Sequence, residues 1–255
     1  MTRIIAVIGG KGGIGKTTLT SNLTYALSNM GEDVIAIDAN MTTPNLGIHF
    51  GMPLSNKSLH DVLKGNMKLK NVIHTHPHGF KFIPSSISTN ALRGVDASKL
   101  SNVTFNLTGQ ADYVIMDCAA GLGREAMSAI DAADEILIVT NPDMPSVADA
   151  LKTADIANKM KKNVIGVVVN KRKGKKHEMT IGSIKELMEL PVIASIPDDP
   201  LVAESISARN PLVDYAPDSP AAIEIDKLAH KLAGRRYVKT TSERGIFDKL
   251  RSWFV

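Results

Sequence analysis

An apolar run, a glycine-rich turn and a helix-like stretch open this chain in that order, and few folds accommodate it. Ile4-Ile5-Ala6-Val7-Ile8 leads directly into Gly9-Gly10-Lys11-Gly12-Gly13-Ile14-Gly15-Lys16-Thr17-Thr18. From Gly10 to Thr17 the residues fit G-x-x-x-x-G-K-[ST], in the strand, turn and helix context that the pattern requires. The glycines let backbone N–H groups wrap phosphate oxygens without Cβ clashes, and the positive end of the following helix points at the same phosphates. Gly10, Lys11, Gly12, Gly13, Ile14, Gly15, Lys16, Thr17 and Thr18 are therefore expected to line a nucleoside triphosphate site. Lys16 brings charge to the β- and γ-phosphates, and Thr17 brings a hydroxyl for Mg²⁺.

Further apolar runs predict strands over Arg3–Ile8, Val34–Asp38, Phe80–Pro84, Tyr113–Asp117, Ile136–Thr140, Val164–Val169 and Val192–Ala194. Several are continuous Val/Ile runs, as expected of strands buried on both faces. Between them, 3.6-residue periodicity predicts helices over Thr18–Met30, Arg124–Ala133, Ser146–Met160, Thr180–Glu189, Pro200–Ala208 and Ala221–Leu232. This alternation predicts an α/β fold, a doubly wound, mainly parallel sheet with helices on both faces. The chain has 255 residues, 44% of them hydrophobic but only 4% aromatic, so the core should be aliphatic. Its lone Cys118 excludes an internal disulfide and any C-x-x-C pair. No run approaches the roughly 20 apolar residues of a membrane span, and the apolar start reads as a strand rather than a signal peptide, so a cytoplasmic protein is expected.

In such a sheet, working carboxylates belong at the carboxyl ends of strands near the phosphate loop. Asp38 ends Val34–Asp38, and Asp117 ends Tyr113–Asp117. Both are expected in the metal shell with Thr17; a helix cap or turn former is the plain alternative for each.

Lys11 is not needed by an ordinary phosphate loop. The stretch Lys11-Gly12-Gly13-Ile14-Gly15-Lys16-Thr17-Thr18 resembles the K-G-G-x-G-K-T-T pattern of the deviant Walker A ATPases. That group includes the MinD cell-division ATPases, the ParA partition ATPases, the nitrogenase iron protein and the iron–sulfur cluster carriers. The missing C-x-x-C pair counts against the last branch. The resemblance implies a P-loop ATPase that uses ATP and Mg²⁺ and forms an ATP-dependent homodimer, with Lys11 reaching the partner's ATP. It implies that Lys11, Lys16, Asp38 and the residue at position 40 carry hydrolysis. Asp117-Cys118-Ala119-Ala120-Gly121 resembles the segment whose Asp holds Mg²⁺ through water and whose Gly121 N–H senses the γ-phosphate. The family's second strand usually ends D-x-D, but here the second acidic position is Asn40. An amide cannot take a proton as a carboxylate does, yet it can orient a water, so hydrolysis is expected to be slow or to need a partner, and a non-hydrolysing ATP-bound membrane scaffold stays open as the alternative. Asn170 resembles the family's adenine-binding Asn, and Pro197 and Asp198 its base-covering loop. For Asn170 a turn former stays open as the alternative.

Ile246, Phe247, Leu250, Trp253 and Phe254 share one helical face near the carboxyl terminus, opposite Asp248, Lys249, Arg251 and Ser252. Residues 245–255 resemble the membrane-targeting tail of the MinD branch, joined to a 1–234 ATPase domain by a polar linker, 235–244. This implies reversible binding to an anionic membrane surface, a peripheral location on the inner face of the cell membrane, and an unidentified regulatory protein as partner. A helix packed on protein is the alternative. The net charge of +4 and pI near 9.0 permit an anionic partner without requiring one. Nucleic acid is not the expected partner, although a ParA-like DNA-binding reading stays open. Lys171-Arg172-Lys173-Gly174-Lys175-Lys176-His177 reads as a solvated loop, His74-Thr75-His76-Pro77-His78 as a surface turn, and Met41, Met52 and Met67 as core or edge filler.

Overall fold

The computed structural model describes residues 1–52 and 55–238. The expected membrane-facing residues Ile246, Phe247, Leu250, Trp253 and Phe254 lie outside them. In chain order the elements are β1 Arg3–Ile8, α1 Lys16–Asn29, β2 Val34–Ala39, α2 Leu46–His49, α3 Leu59–Leu63, β3 His74–Thr75, β4 Lys81–Ile83, α4 Leu100–Leu107, β5 Tyr113–Cys118, α5 Arg124–Ala132, β6 Glu135–Thr140, α6 Met144–Lys159, β7 Asn163–Arg172, α7 Ile181–Met188, β8 Val192–Pro197, α8 Leu201–Ser207, α9 Leu212–Tyr215 and α10 Pro220–Leu232.

Eight strands form one sheet in the order β3-β4-β2-β5-β1-β6-β7-β8. Every pairing is parallel except β3 with β4. The expected α/β architecture is therefore present. Alternate residues of the central strands feed two cores. Ile4, Ala6 and Ile8 pack with α4 to α7, while Ile5 and Val7 pack with α1 and α10. This double burial explains why β1, β2 and β5 read as continuous apolar runs rather than alternating ones.

Register places the site. Asp38 on β2 pairs with Asp117 on β5, and Val7 on β1 pairs with the same Asp117. Both carboxylates thus stand beside the loop that leaves β1. On the other side of β1, Gly10 lies against α6, where an added Cβ would sit 2.5 Å from Asp149 Cβ and 2.8 Å from the Asp149 carbonyl. Only glycine allows that approach.

Several elements differ from the sequence reading. β7 runs three residues beyond Val169, because Arg172 still pairs with Pro197 of β8. Lys171 and Arg172 therefore belong to a strand end rather than a loop. α4 was not anticipated, although Leu100, Val103, Thr104 and Leu107 form a buried i, i+3, i+4, i+7 stripe. His76 is not on the surface: it is 8% exposed, its ring stacks on Phe80 with centroids 4.3 Å apart, and its Nε2 lies 2.9 Å from the Phe50 carbonyl. No His, Cys, Asp or Glu cluster among the described residues is arranged to hold a metal by itself. No helix among them is long and apolar enough to cross a membrane.

Candidate nucleotide site

The loop after β1 turns on two residues in the left-handed region, Gly13 at φ 77° and Gly15 at φ 95°. Gly15 is also the N-cap of α1, so the first N–H groups of that helix open directly into the cavity. Adjacent residues at the end of β7 hold the loop's carbonyls. Asn170 Nδ2 donates to Ile14 O at 2.8 Å, and Lys171 Nζ donates to Gly13 O at 2.7 Å. With those carbonyls turned towards β7, the loop's N–H groups are left for phosphate oxygens. A Cβ at Gly15 would lie 2.2 Å from Asn170 Nδ2. Gly15→Ala is therefore expected to strain the loop by about 1–3 kcal/mol and to weaken ATP binding at least tenfold. Chemical denaturation and fluorescent-nucleotide titration measure the two effects separately, and wild-type affinity in the variant would overturn this account of the loop.

Lys16 is 7% exposed, and its Nζ donates to the Lys11 carbonyl at 3.3 Å. Burial pulls its pKa down, and the nearby Asp117 opposes that shift. Lys11 itself is exposed at the rim. Thr17 Oγ1 donates to Asp117 Oδ2 at 2.6 Å. Asp38 accepts from the N–H of Asn40 at 3.3 Å and from that of Leu46 at 3.0 Å. Both carboxylates are buried. Burial pushes Asp117 up to about 6, and burial together with the neighbouring Asp117 holds Asp38 well above the ordinary carboxylate range.

Asp117 Oδ1 is buried with no hydrogen-bond partner among the described residues. An orphaned carboxylate oxygen beside a second carboxylate and a threonine hydroxyl is an environment short of positive charge. That donor set fits a hydrated Mg²⁺, a hard cation with oxygen ligands. Thr17, Asp38 and Asp117 thus stand together.

A cavity of about 660 Å³ runs from Gly12, Lys16 and Thr17 past Asn40 and Thr43 to Asp198. A smaller recess of about 50 Å³ behind it is bounded by Thr18, Asn170, Pro197 and Asp198. The three residues expected at the base are therefore together, but two are already engaged. One Nδ2 hydrogen of Asn170 is committed to Ile14, and Asp198 lies 3.5 Å from Lys173 Nζ. Asn40 reaches the cavity wall, and its amide closes a turn on Thr43. Gly121, at φ 79°, sits across from the loop, where an added Cβ would lie 4.0 Å from Gly10 O. Two residues were missed. Lys171 carried a signal in its place next to Asn170. Asp199 carried one as the last residue of the base-covering loop: its carboxylate accepts from the N–H of Leu201 at 3.0 Å and of Ala221 at 3.2 Å, fixing the starts of α8 and α10 under the base recess.

Comparison with known proteins agrees with this geometry. The family model described as ParA, an NUBPL iron-transfer P-loop NTPase, matches residues 1–233. An uncharacterized ATP-binding protein of Methanocaldococcus jannaschii is 37% identical over 237 residues, covering 93% of this chain and 90% of that one. The septum site-determining protein MinD of Thermotoga maritima is 30% identical over 270 residues, covering 100% of this chain and 98% of that one. The structure of the septum site-determining protein MinD from Pyrococcus horikoshii, complexed with Mg-ADP, superposes with a TM-score of 0.88 at 35% identity, covering 91% of this chain and 96% of that one. The iron-transfer part of the family description finds no pair of thiols here, since the one cysteine, Cys118, is buried on β5 with its thiol pKa pushed up by burial. A phosphate loop on β1, two strand-end aspartates in register beside it and similarity along nearly the whole chain lead to one conclusion: the chain belongs to the ParA/MinD family of P-loop NTPases and is an ATP hydrolase that works with Mg²⁺.

Proposed function

We propose that this ATPase is a membrane-surface switch of MinD type, in which ATP joins two copies and hydrolysis separates them. The observation that carries the reading is Lys11, exposed at the rim of a phosphate loop whose own charge requirement Lys16 already meets. A second lysine there suits a triphosphate held by another copy. In this reading Lys16 neutralises charge on the β- and γ-phosphates, and the loop amides hold their oxygens. Thr17, Asp38 and Asp117 would hold Mg²⁺, which supplies charge stabilisation at the transferring phosphoryl group. Asn40 orients the attacking water without accepting its proton, and Gly121 N–H senses the γ-phosphate. The Asn170 Oδ1 atom and its remaining Nδ2 hydrogen meet the adenine edge, with Pro197 and Asp198 beside it.

The same reading divides the chain into an ATPase domain, 1–234, a polar linker, 235–244, and a membrane-facing segment, 245–255, carrying Ile246, Phe247, Leu250, Trp253 and Phe254. It places the protein reversibly on the inner face of the cell membrane. There it would position cell-division or other machinery under the control of a regulatory protein.

Sedimentation with anionic liposomes in ATP, in ADP and without nucleotide tests the switch. The expected result is co-sedimentation in ATP and release in ADP. Equal sedimentation in both nucleotides would falsify it.

A further inference from the structure

Glu125 stands in the first turn of α5, just past Gly121–Gly123. An acidic residue in that position ordinarily faces its own helix's N–H groups. Here the carboxylate instead crosses to the segment after β2. Its Oε2 accepts from Met41 N at 3.1 Å and from Thr42 N at 3.3 Å, and its Oε1 accepts from the Thr42 hydroxyl.

Met41 and Thr42 are the two residues between Asn40 and Thr43. Across them the Asn40 amide is committed. Its Oδ1 accepts from Thr43 N at 3.3 Å and from Thr43 Oγ1 at 3.1 Å, and its Nδ2 donates to Thr43 O at 2.8 Å. An amide oxygen has two acceptor positions, and both are filled. In this turn Asn40 cannot accept a hydrogen bond from a water.

We infer that Glu125 is a positioning residue: a clasp between the segment after Asp117 and the segment after Asp38 that holds Asn40 in a resting turn and thereby slows hydrolysis. The inference rests on the reading of Asn40 as the residue that orients the attacking water. The Met41 side chain is buried, so that end of the turn is also fixed by packing. Thr42 is exposed, and its N–H and hydroxyl both go to Glu125. Hydrogen bonds to a charged acceptor are strong enough to set a conformation. Water can replace them at an exposed residue, so the clasp can open. α5 begins three residues after Gly121, so a shift of Gly121 towards phosphate moves the first turn that carries the carboxylate. Opening the clasp leaves the Asn40 amide available to the cavity it already lines.

Single-turnover hydrolysis of Mg-ATP, with ATP affinity measured in parallel by fluorescent-nucleotide titration, tests this in E125A, E125Q, T42V, N40A and the double variant N40A/E125A. E125A is expected to raise the rate constant roughly 3–10-fold, about the weight of one net hydrogen bond, at unchanged affinity. E125Q should gain less, because its amide keeps one acceptor oxygen. T42V, altered at an exposed position, should act in the same direction from the other partner. N40A/E125A should lose the gain. A merely structural Glu125 would instead slow hydrolysis or weaken ATP binding. E125A and T42V both at or below the wild-type rate, with N40A slow, overturn the clasp alone. A double variant as fast as E125A overturns the coupling through Asn40. N40A at the wild-type rate overturns the Asn40 reading, and the inference with it.

Discussion

If ATP joins two copies as proposed, Lys11→Ala is expected to remain monomeric in ATP while still binding ATP as a monomer. The two lysines of the loop differ in environment. Lys16 is buried beside Asp117, where it would serve its own nucleotide, whereas Lys11 is exposed and supplies its carbonyl to Lys16. Dimerisation would bury that exposed ammonium against a triphosphate. Truncating one partner of a buried charge pair costs about 2–5 kcal/mol. A twofold dimer contains the pair twice, so the loss is roughly 4–10 kcal/mol, which weakens association by about 10³–10⁷. Monomer affinity should change little, because Lys16, Thr17 and the loop amides remain. Light scattering with and without ATP decides the matter, and an ATP dimer of unchanged affinity would remove the role in trans.

Changing Phe247 and Trp253 together to Glu is expected to abolish liposome binding and leave the ATP dimer intact. The proposed membrane face carries Ile246, Phe247, Leu250, Trp253 and Phe254, each worth roughly 1.5–3 kcal/mol if fully buried. Burial at an interface is partial, and a helix of about eleven residues is marginal by itself, so ordering it offsets much of that gain. One tail would therefore bind weakly. Two tails on one dimer would turn the second contact into an intramolecular one, and avidity would rise by roughly 10²–10⁴.

Arg235, at the start of the expected linker, donates to the carbonyl of Met30 and pairs with Glu32, and Tyr237 packs edge-on against His230 with centroids 5.2 Å apart. Arg235 thus lies at the far end of α1, whose 14 residues place it about 20 Å from the phosphate loop. Liposome sedimentation with the double variant provides the measurement. Lipid binding that survives the two charges would assign the tail to packing on protein.

The phosphate site was legible in the sequence because its chemistry is local. Gly10, Gly13, Gly15, Lys16 and Thr17 act within one turn of chain, and each residue type has one physical reason to be there. The strands were legible because burial on both faces keeps the middles of β1, β2 and β5 apolar. Strand ends therefore marked Asp38 and Asp117 without reference to anything distant.

What the tertiary structure decided lies in pairings between remote residues, which leave no periodic trace. The sheet order sets β5 between β2 and β1, and only that order brings Asp38 opposite Asp117. The last residues of β7 are strand because β8 pairs with them, and from there Asn170 and Lys171 hold the loop. His76 is buried because Phe80 and the Phe50 carbonyl supply what its ring needs. An amide or a carboxylate accepts any donor that the fold brings near it. The sequence by itself therefore marked the phosphate loop and the two strand-end aspartates, and packing alone decided that Lys171 would hold that loop, that Asn40 would be turned onto Thr43 and Glu125 onto Met41 and Thr42.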